Sequence, residues 1–140
     1  MKVELVVDRT GVPVGLATDA ANVPETVLVV VAVGDIPASV LVPDDTPVVA
    51  DRAYDSDPLR ADLAARGFRL LAPHRRNRVR PPTNDGRRMR RYRRRWVVER
   101  TFAWLHSYRR VLTRHDRRVH VHDGFTRLAC AFIALNRLVK

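Results

Sequence analysis

The chain has 140 residues, 46% of them apolar, which fits about one domain and excludes a disordered segment. Its net charge of +11 is uneven: residues 1–74 carry six basic side chains against eleven acidic, and residues 75–118 carry seventeen against three. A basic block on a mildly acidic half is the footprint of a polyanion binder, while a lone cysteine, Cys130, excludes an internal disulfide framework.

Along the chain, KVELVVDR is rich in β-branched residues and predicts a strand over Val3 to Val7. Gly11 and Pro13 punctuate a turn, and Val14 to Ala17 predict a second strand, so the chain opens on a hairpin. Pro24 and Glu25 suit a first helical turn, yet Val27 to Val33 is β-branched enough for a strand, and both readings stand. That run is also the longest apolar stretch, far short of the ~20 residues that span a bilayer. The opening residues lack the apolar region of a signal peptide, so a reducing, cytoplasmic home is expected.

The segment 34–45 is broken by Pro37 and Pro43 and reads as irregular. Val48 to Ala50 predicts a short buried strand that ends on an acid, Asp51. Ser56 as cap, Pro58 inside and Gly67 beyond predict a helix over DPLRADLAAR, and FRLLAPHR follows as a strand. Strand, helix, strand at this spacing is a βαβ unit with parallel pairing, hence an α/β chain. Arg75 to Arg88 reads as a basic loop. Helical patterns follow over 86–114 and 123–139, joined by the turn HDRRVHVHDG. In the last helix Phe125, Leu128, Phe132, Leu135 and Val139 form an expected core-facing stripe. His115, His120 and His122 are read as part of a solvated turn, with no cysteine to complete a zinc site. No internal repeat interrupts this single unit, made of a hairpin and βαβ part (1–74) and a basic loop with C-terminal helices (75–140).

Glu99 is a lone acid within the arginine-rich stretch YRRRWVVERTFAWLHSYRR. At about 100° per residue, Tyr92, Arg95, Glu99 and His106 fall within about 60° of one another, nearly opposite Val97, Val98, Trp104, Leu105 and Tyr108. Glu99 therefore points away from the core and shares its face with a phenol, a guanidinium and an imidazole. Such a face suits a metal-bound phosphate; an ion-paired surface glutamate is the commoner outcome for such a stripe. Trp96 lies beside the polar stripe, where stacking on a base is one option. Asp51, at a strand end, is where α/β folds present functional groups.

With these residues in view, the chain resembles the insertion-sequence DDE transposases. VVADRAYDSDPLR is similar to the segment around their second catalytic Asp, and DRTGVPVGLATDAANVPE to the hairpin upstream of it. Tyr92, Arg95 and Glu99 match their Tyr, Arg, Glu, Lys signature position for position, with His106 where the signature has Lys. The resemblance implies an RNase H-like mixed sheet flanked by helices. It implies Asp51 and Glu99 as two of three carboxylates holding two Mg²⁺ (or Mn²⁺) ions for DNA cleavage and strand transfer at insertion-sequence ends. Phosphate contacts are implied for Tyr92, Arg95 and His106, and binding of inverted-repeat duplex DNA for Arg75, Arg76, Arg78, Arg80, Arg87 and Arg88. Nucleoid DNA is the implied place of action.

The family's first Asp lies on a central strand upstream of the hairpin, and this chain begins at the hairpin. The expectation is thus a partial catalytic domain lacking that strand, its two-metal site formed only in a complete transposase. The chain is then half of an enzyme completed by an upstream-frame partner, in a homo-oligomer or not, or a non-enzymatic DNA-binding remnant or regulator of transposition. It is expected not to cleave transposon ends alone.

Overall fold

The computed structural model describes residues 1–84 and 86–139; Asp85, within the expected basic loop, lies outside them. The hairpin forms as β1 (Lys2–Val7) and β2 (Pro13–Asp19), antiparallel with Leu5 opposite Leu16. Its turn is set by Asp8, whose carboxylate accepts from the backbone N–H groups of Thr10 and Val12 at 2.8 and 2.9 Å. Gly11 sits at φ +90°, in the left-handed region that a side chain disfavours.

The valine run resolves as a helix, α1 (Glu25–Gly34). Tertiary burial overrides β propensity here, because Leu28, Val29, Ala32 and Val33 all find apolar cover. Gly15 lets this helix lie on β2: a Cβ there would stand 2.1 Å from the Ala32 carbonyl oxygen. Residues 35–45 form no helix or strand, as the prolines predict.

The βαβ unit is present: β3 (Thr46–Val49), α2 (Asp57–Ala65) and β4 (Phe68–Leu71), with β3 parallel to β4. Ser56 caps α2 by accepting from the Leu59 N–H, and Pro58 lies in the first turn. The main core joins Val29 and Val33 of α1, Leu59 and Leu63 of α2, and Leu70 and Ala72 at β4, with Val6 of the hairpin packed against it. The chain is thus mixed α/β, but the four strands among the described residues make two separate pairs, β1 with β2 and β3 with β4.

Beyond β4 the structure departs from the expected pair of helices. The pattern over 86–114 divides into a 3-10 segment (Arg88–Arg94), α3 (Trp96–His106) and the short α4 (Arg109–Leu112). Five arginines in the seven residues RMRRYRR put like charges one turn apart, which weakens an α-helix. After His106, Ser107 turns its hydroxyl onto the Trp104 carbonyl at 2.6 Å and Tyr108 is extended. The last helix, α5 (Val119–Leu138), starts four residues earlier than expected. His120 and His122 therefore belong to a helix and not to a solvated turn, and His122 is buried.

The core-facing stripe expected on α5 is also corrected. Leu128, Phe132, Leu135 and Val139 are exposed, and the buried positions are His122, Thr126, Ala129 and Ile133. Small side chains on that face let α5 approach its neighbours closely. Polar ties hold the orientation: Asp123 accepts from the Thr18 hydroxyl at 2.7 Å, and Arg127 pairs with Asp35 and Asp123 at 2.9 Å each.

Candidate functional site

Asp51 follows β3, where the Ala50 N–H still donates to the Leu71 carbonyl. Its carboxylate accepts from the Ala53 N–H at 2.7 Å and so caps a 3-10 turn, Arg52–Tyr54. Tyr54, closing that turn, donates its hydroxyl to the Glu4 carboxylate, 2.8 Å from both oxygens. This bond ties the Asp51 turn to the other sheet. Burial pushes the Glu4 carboxyl up to about 7, the Tyr54 bond opposing and the charges of Glu25 and Asp51 adding to the rise. Burial, and then the Glu4 charge, raise the Tyr54 phenol.

Four residues beyond Asp51, Asp55 is a hub. Its side chain is 2% exposed and lies 2.8 Å from Arg60, 2.9 Å from His74 and 3.4 Å from Arg78. It also accepts from the Arg75 backbone N–H at 2.7 Å. Burial works against ionisation, but Arg60, the Arg75 N–H and His74 outweigh it and hold the carboxyl well below the usual range. Asp57 takes Arg78 at 2.9 Å and Arg80 at 3.1 Å, and the Arg75 guanidinium donates to the Ala53 carbonyl at 2.9 Å. Arg75 and Arg78, two of the arginines for which the resemblance implies DNA binding, thus brace the turn after Asp51, while the exposed Arg80 pairs with Asp57. Neither Glu4 nor Asp55 stands out in the sequence, since apart from Arg60 their partners lie 19–50 positions away and only the fold brings them into reach.

Tyr92, Arg95 and Glu99 do come together. Arg95 is the residue just before α3, and its guanidinium lies 2.8 Å from Glu99 and 5.8 Å from the Tyr92 ring centroid. Glu99 is exposed, and so is His106 at the far end of α3, its ring 6.2 Å from that of Phe102. The opposite face buries Val97, Thr101 and Leu105, as the helical projection predicts, with Thr101 an addition: its hydroxyl donates to the Gly11 carbonyl at 2.8 Å and locks α3 to the hairpin turn. In the 3-10 segment, Arg88, Arg90, Arg91, Arg93 and Arg94 make no side-chain ion pair or hydrogen bond among the described residues, and the same holds for Arg76. Arg87 precedes the segment and is exposed.

Asp51 and Glu99 are thus held differently, one as a cap and one in an ion pair. Among the described residues no three His, Cys, Asp or Glu side chains gather as a metal centre. Among the described residues no helix is long and apolar enough to cross a membrane.

Residues 1–134 match the family model described as "Transposase DDE domain". A Burkholderia cepacia protein whose name assigns it as transposase for insertion sequence element IS402 is 36% identical over 142 residues, covering 98% of this chain and 64% of its own length. A Brucella ovis protein, similarly named for insertion sequence element IS6501, is 39% identical over 90 residues, 63% of this chain and 66% of its own. The chain therefore spans a little under two thirds of the length of the curated relatives it matches. No solved structure matches it significantly.

Proposed function

The chain belongs to the DDE transposase domain family, and we propose that it is the DNA-processing portion of an insertion-sequence transposase. It holds transposon-end DNA along its arginine-rich segment and presents Asp51 and Glu99 for phosphodiester chemistry on nucleoid DNA. One observation carries this reading: Tyr92, Arg95 and Glu99 share a stripe at the exit of a segment whose arginines have no side-chain partners among the described residues.

An RNase H-like sheet, opened at its centre, is the fold proposed. In its support, β1 and β3 each pair on one side alone, and α1 and α2 pack into one core with residues of both pairs. A strand between β1 and β3 would satisfy both open edges and turn the two pairs into one mixed sheet, with Asp51 at its rim.

The oxygen donors of Asp51 and Glu99 suit a hard cation such as Mg²⁺ or Mn²⁺, which in such enzymes activates the attacking hydroxyl and stabilises the leaving oxygen. Their present arrangement does not build that centre, because Asp51 caps a turn and Arg95 neutralises Glu99. The chain's own residues act on the DNA backbone: Arg95 offers a planar fork to a phosphate, Tyr92 a hydroxyl, and His106 a ring N–H.

Fluorescence anisotropy with a labelled inverted-repeat duplex tests the binding. Log affinity should fall linearly with log salt, and Arg93→Ala or Arg94→Ala should each flatten the slope by about 0.9. Absence of binding at low salt sinks the reading. The second reading, a non-enzymatic regulator, is favoured by the same cap and ion pair, which are what purely structural acids would make. Nicking of a plasmid carrying the element ends by the assembled transposase decides between them. Loss in Glu99→Gln with binding retained supports catalysis; undiminished nicking leaves the regulator.

A further inference from the structure

The α5 helix carries an apolar face that the described residues leave uncovered. Leu128, Phe132, Leu135 and Val139 are exposed, Leu138 is 84% exposed, and Leu112 of α4 lies open beside them. Val121 and Phe125, both half-buried, extend the stripe towards the start of α5. From Val121 to Val139 it advances by alternating steps of four and three residues. At about 100° per residue the six side chains fall within about 80° of one another. No charged side chain of α5 shares that arc, in a chain of net charge +11. Alternating four- and three-residue steps are the seam through which one helix packs on another, and an uncharged seam offers a nucleic acid no countercharge.

Two features say what lies on it. Gly124 sits inside α5 with nothing within 4 Å of where a Cβ would stand. A glycine there weakens the helix, and no contact among the described residues accounts for it. Gly124, Ala131 and Leu138 follow one border of the stripe. The second feature is the order of the side chains. A two-fold axis level with Cys130 runs two copies of α5 antiparallel. It sets Val121 against the partner's Val139, Phe125 against the partner's Leu135, and Leu128 against the partner's Phe132. Each ring then meets an aliphatic side chain, as close packing requires. The same axis lays Leu138 over the partner's Gly124, in the space left open there. Parallel pairing instead sets ring on ring and glycine on glycine. Tyr108 stacks on Phe132 at 6.4 Å and Arg110 lies over Phe125 at 4.9 Å, so both rings are held before a partner arrives.

We propose that α5 is a dimerisation helix, and that its occupant is α5 of a second copy of this chain, packed antiparallel about a two-fold axis at Cys130. The proposal goes beyond the DNA reading and does not depend on it. The seam is about 27 Å long at 1.5 Å per residue. That is small for a specific interface, so a dissociation constant on the order of tens of micromolar is expected.

Sedimentation velocity over a concentration series reads the event. The full chain should pass from 16.0 kDa to twice that mass as its concentration rises through that range. Leu128→Glu and Phe132→Lys should each weaken the dimer by about tenfold or more, because each sets an unpaired charge in the seam. Mixed in equal amounts, the two variants should associate again, since opposite charges then meet across the axis and the other Leu128–Phe132 contact is intact. Gly124→Gln should melt no lower than wild type when dilute, yet dimerise about tenfold more weakly. A wild-type chain that stays at 16.0 kDa above the expected range overturns the proposal and leaves the stripe to a partner of another sequence. A dimer that Leu128→Glu and Gly124→Gln both leave intact overturns it as well. Failure of the mixture to associate overturns the antiparallel pairing. Weaker duplex binding by dilute Leu128→Glu than by dilute wild type assigns the stripe to DNA instead. Should Phe132→Lys melt at a lower temperature, Leu128→Glu and Gly124→Gln still decide.

Discussion

Replacing Asp55 by Asn keeps the side chain's shape and removes its charge, leaving Arg60, Arg78 and His74 around a neutral amide. The side chains of Arg60 and Arg78 are 14% and 12% exposed, so water does little to replace the lost partner. Breaking such a buried pair costs about 3–5 kcal/mol. The low end applies here, because Arg78 keeps Asp57 at 2.9 Å and Arg60 keeps the Leu70 and Ala72 carbonyls at 3.0 and 3.2 Å. A loss of about 3 kcal/mol lowers Tm by about 10 °C for a domain of this size. Urea unfolding followed by circular dichroism measures it, with a lower midpoint at unchanged slope expected.

The pH dependence gives a second reading of the same pair. The folded Asp55 carboxyl titrates below its unfolded value of about 3.9, so the unfolded chain binds more protons in that range. The stabilisation is complete above about pH 5 and declines as pH falls through the unfolded value towards the lower folded one. Asp55→Asn should lose this part of the acid sensitivity. A cost below about 1 kcal/mol, the level of an exposed pair, would refute the argument and return Arg78 to the pool available for DNA.

Glu4→Gln should act in the opposite sense. The folded Glu4 carboxyl is raised to about 7, so its stabilising contribution is full below about pH 4 and is lost as pH rises through 7. Since Gln can still accept from Tyr54, the variant should melt higher than wild type at pH 8 and no higher at pH 4, as differential scanning fluorimetry will show. Gly15→Ala should cost more than about 2 kcal/mol or fail to fold, because its Cβ meets the Ala32 backbone at 2.1 Å and no rotamer relieves that; yield and urea midpoint report it. Leu128→Ser with Leu135→Ser should change stability by less than about 1 kcal/mol, in keeping with 51% and 53% exposure. A cost of several kcal/mol in the same urea assay would mean that the α5 stripe is core after all.

Much of the first half was legible because its signals are local. Ser56 and Pro58 mark the start of α2, Gly11 and Pro13 the hairpin turn, and Asp51 the end of β3, and the bonds that hold these points reach no further than four residues. The second half was misread where two local patterns competed. The apolar stripe Leu128, Phe132, Leu135 and Val139 has the spacing of a core face, yet α5 packs through Thr126, Ala129 and Ile133. Which face wins is fixed by Thr18 and Asp35, more than ninety residues away, through Asp123 and Arg127. Periodicity measures the contrast between faces and carries no information about such long-range ties.

The candidate site shows the same limit in its arginines. Composition counts seventeen basic side chains between residues 75 and 118 and makes them one reservoir of charge. The fold divides them. Arg75, Arg78 and Arg80 face acids and a carbonyl around Asp51, whereas Arg90, Arg91, Arg93 and Arg94 have no such partners. A guanidinium already neutralised by a buried carboxylate releases no counterion when DNA arrives, so it adds nothing to the salt dependence of binding. Its effect is on geometry, by fixing the turn that follows Asp51. The slope of log affinity against log salt should therefore track the arginines of the 3-10 segment, while melting temperature tracks Arg78. The two observables separate roles that charge alone makes indistinguishable.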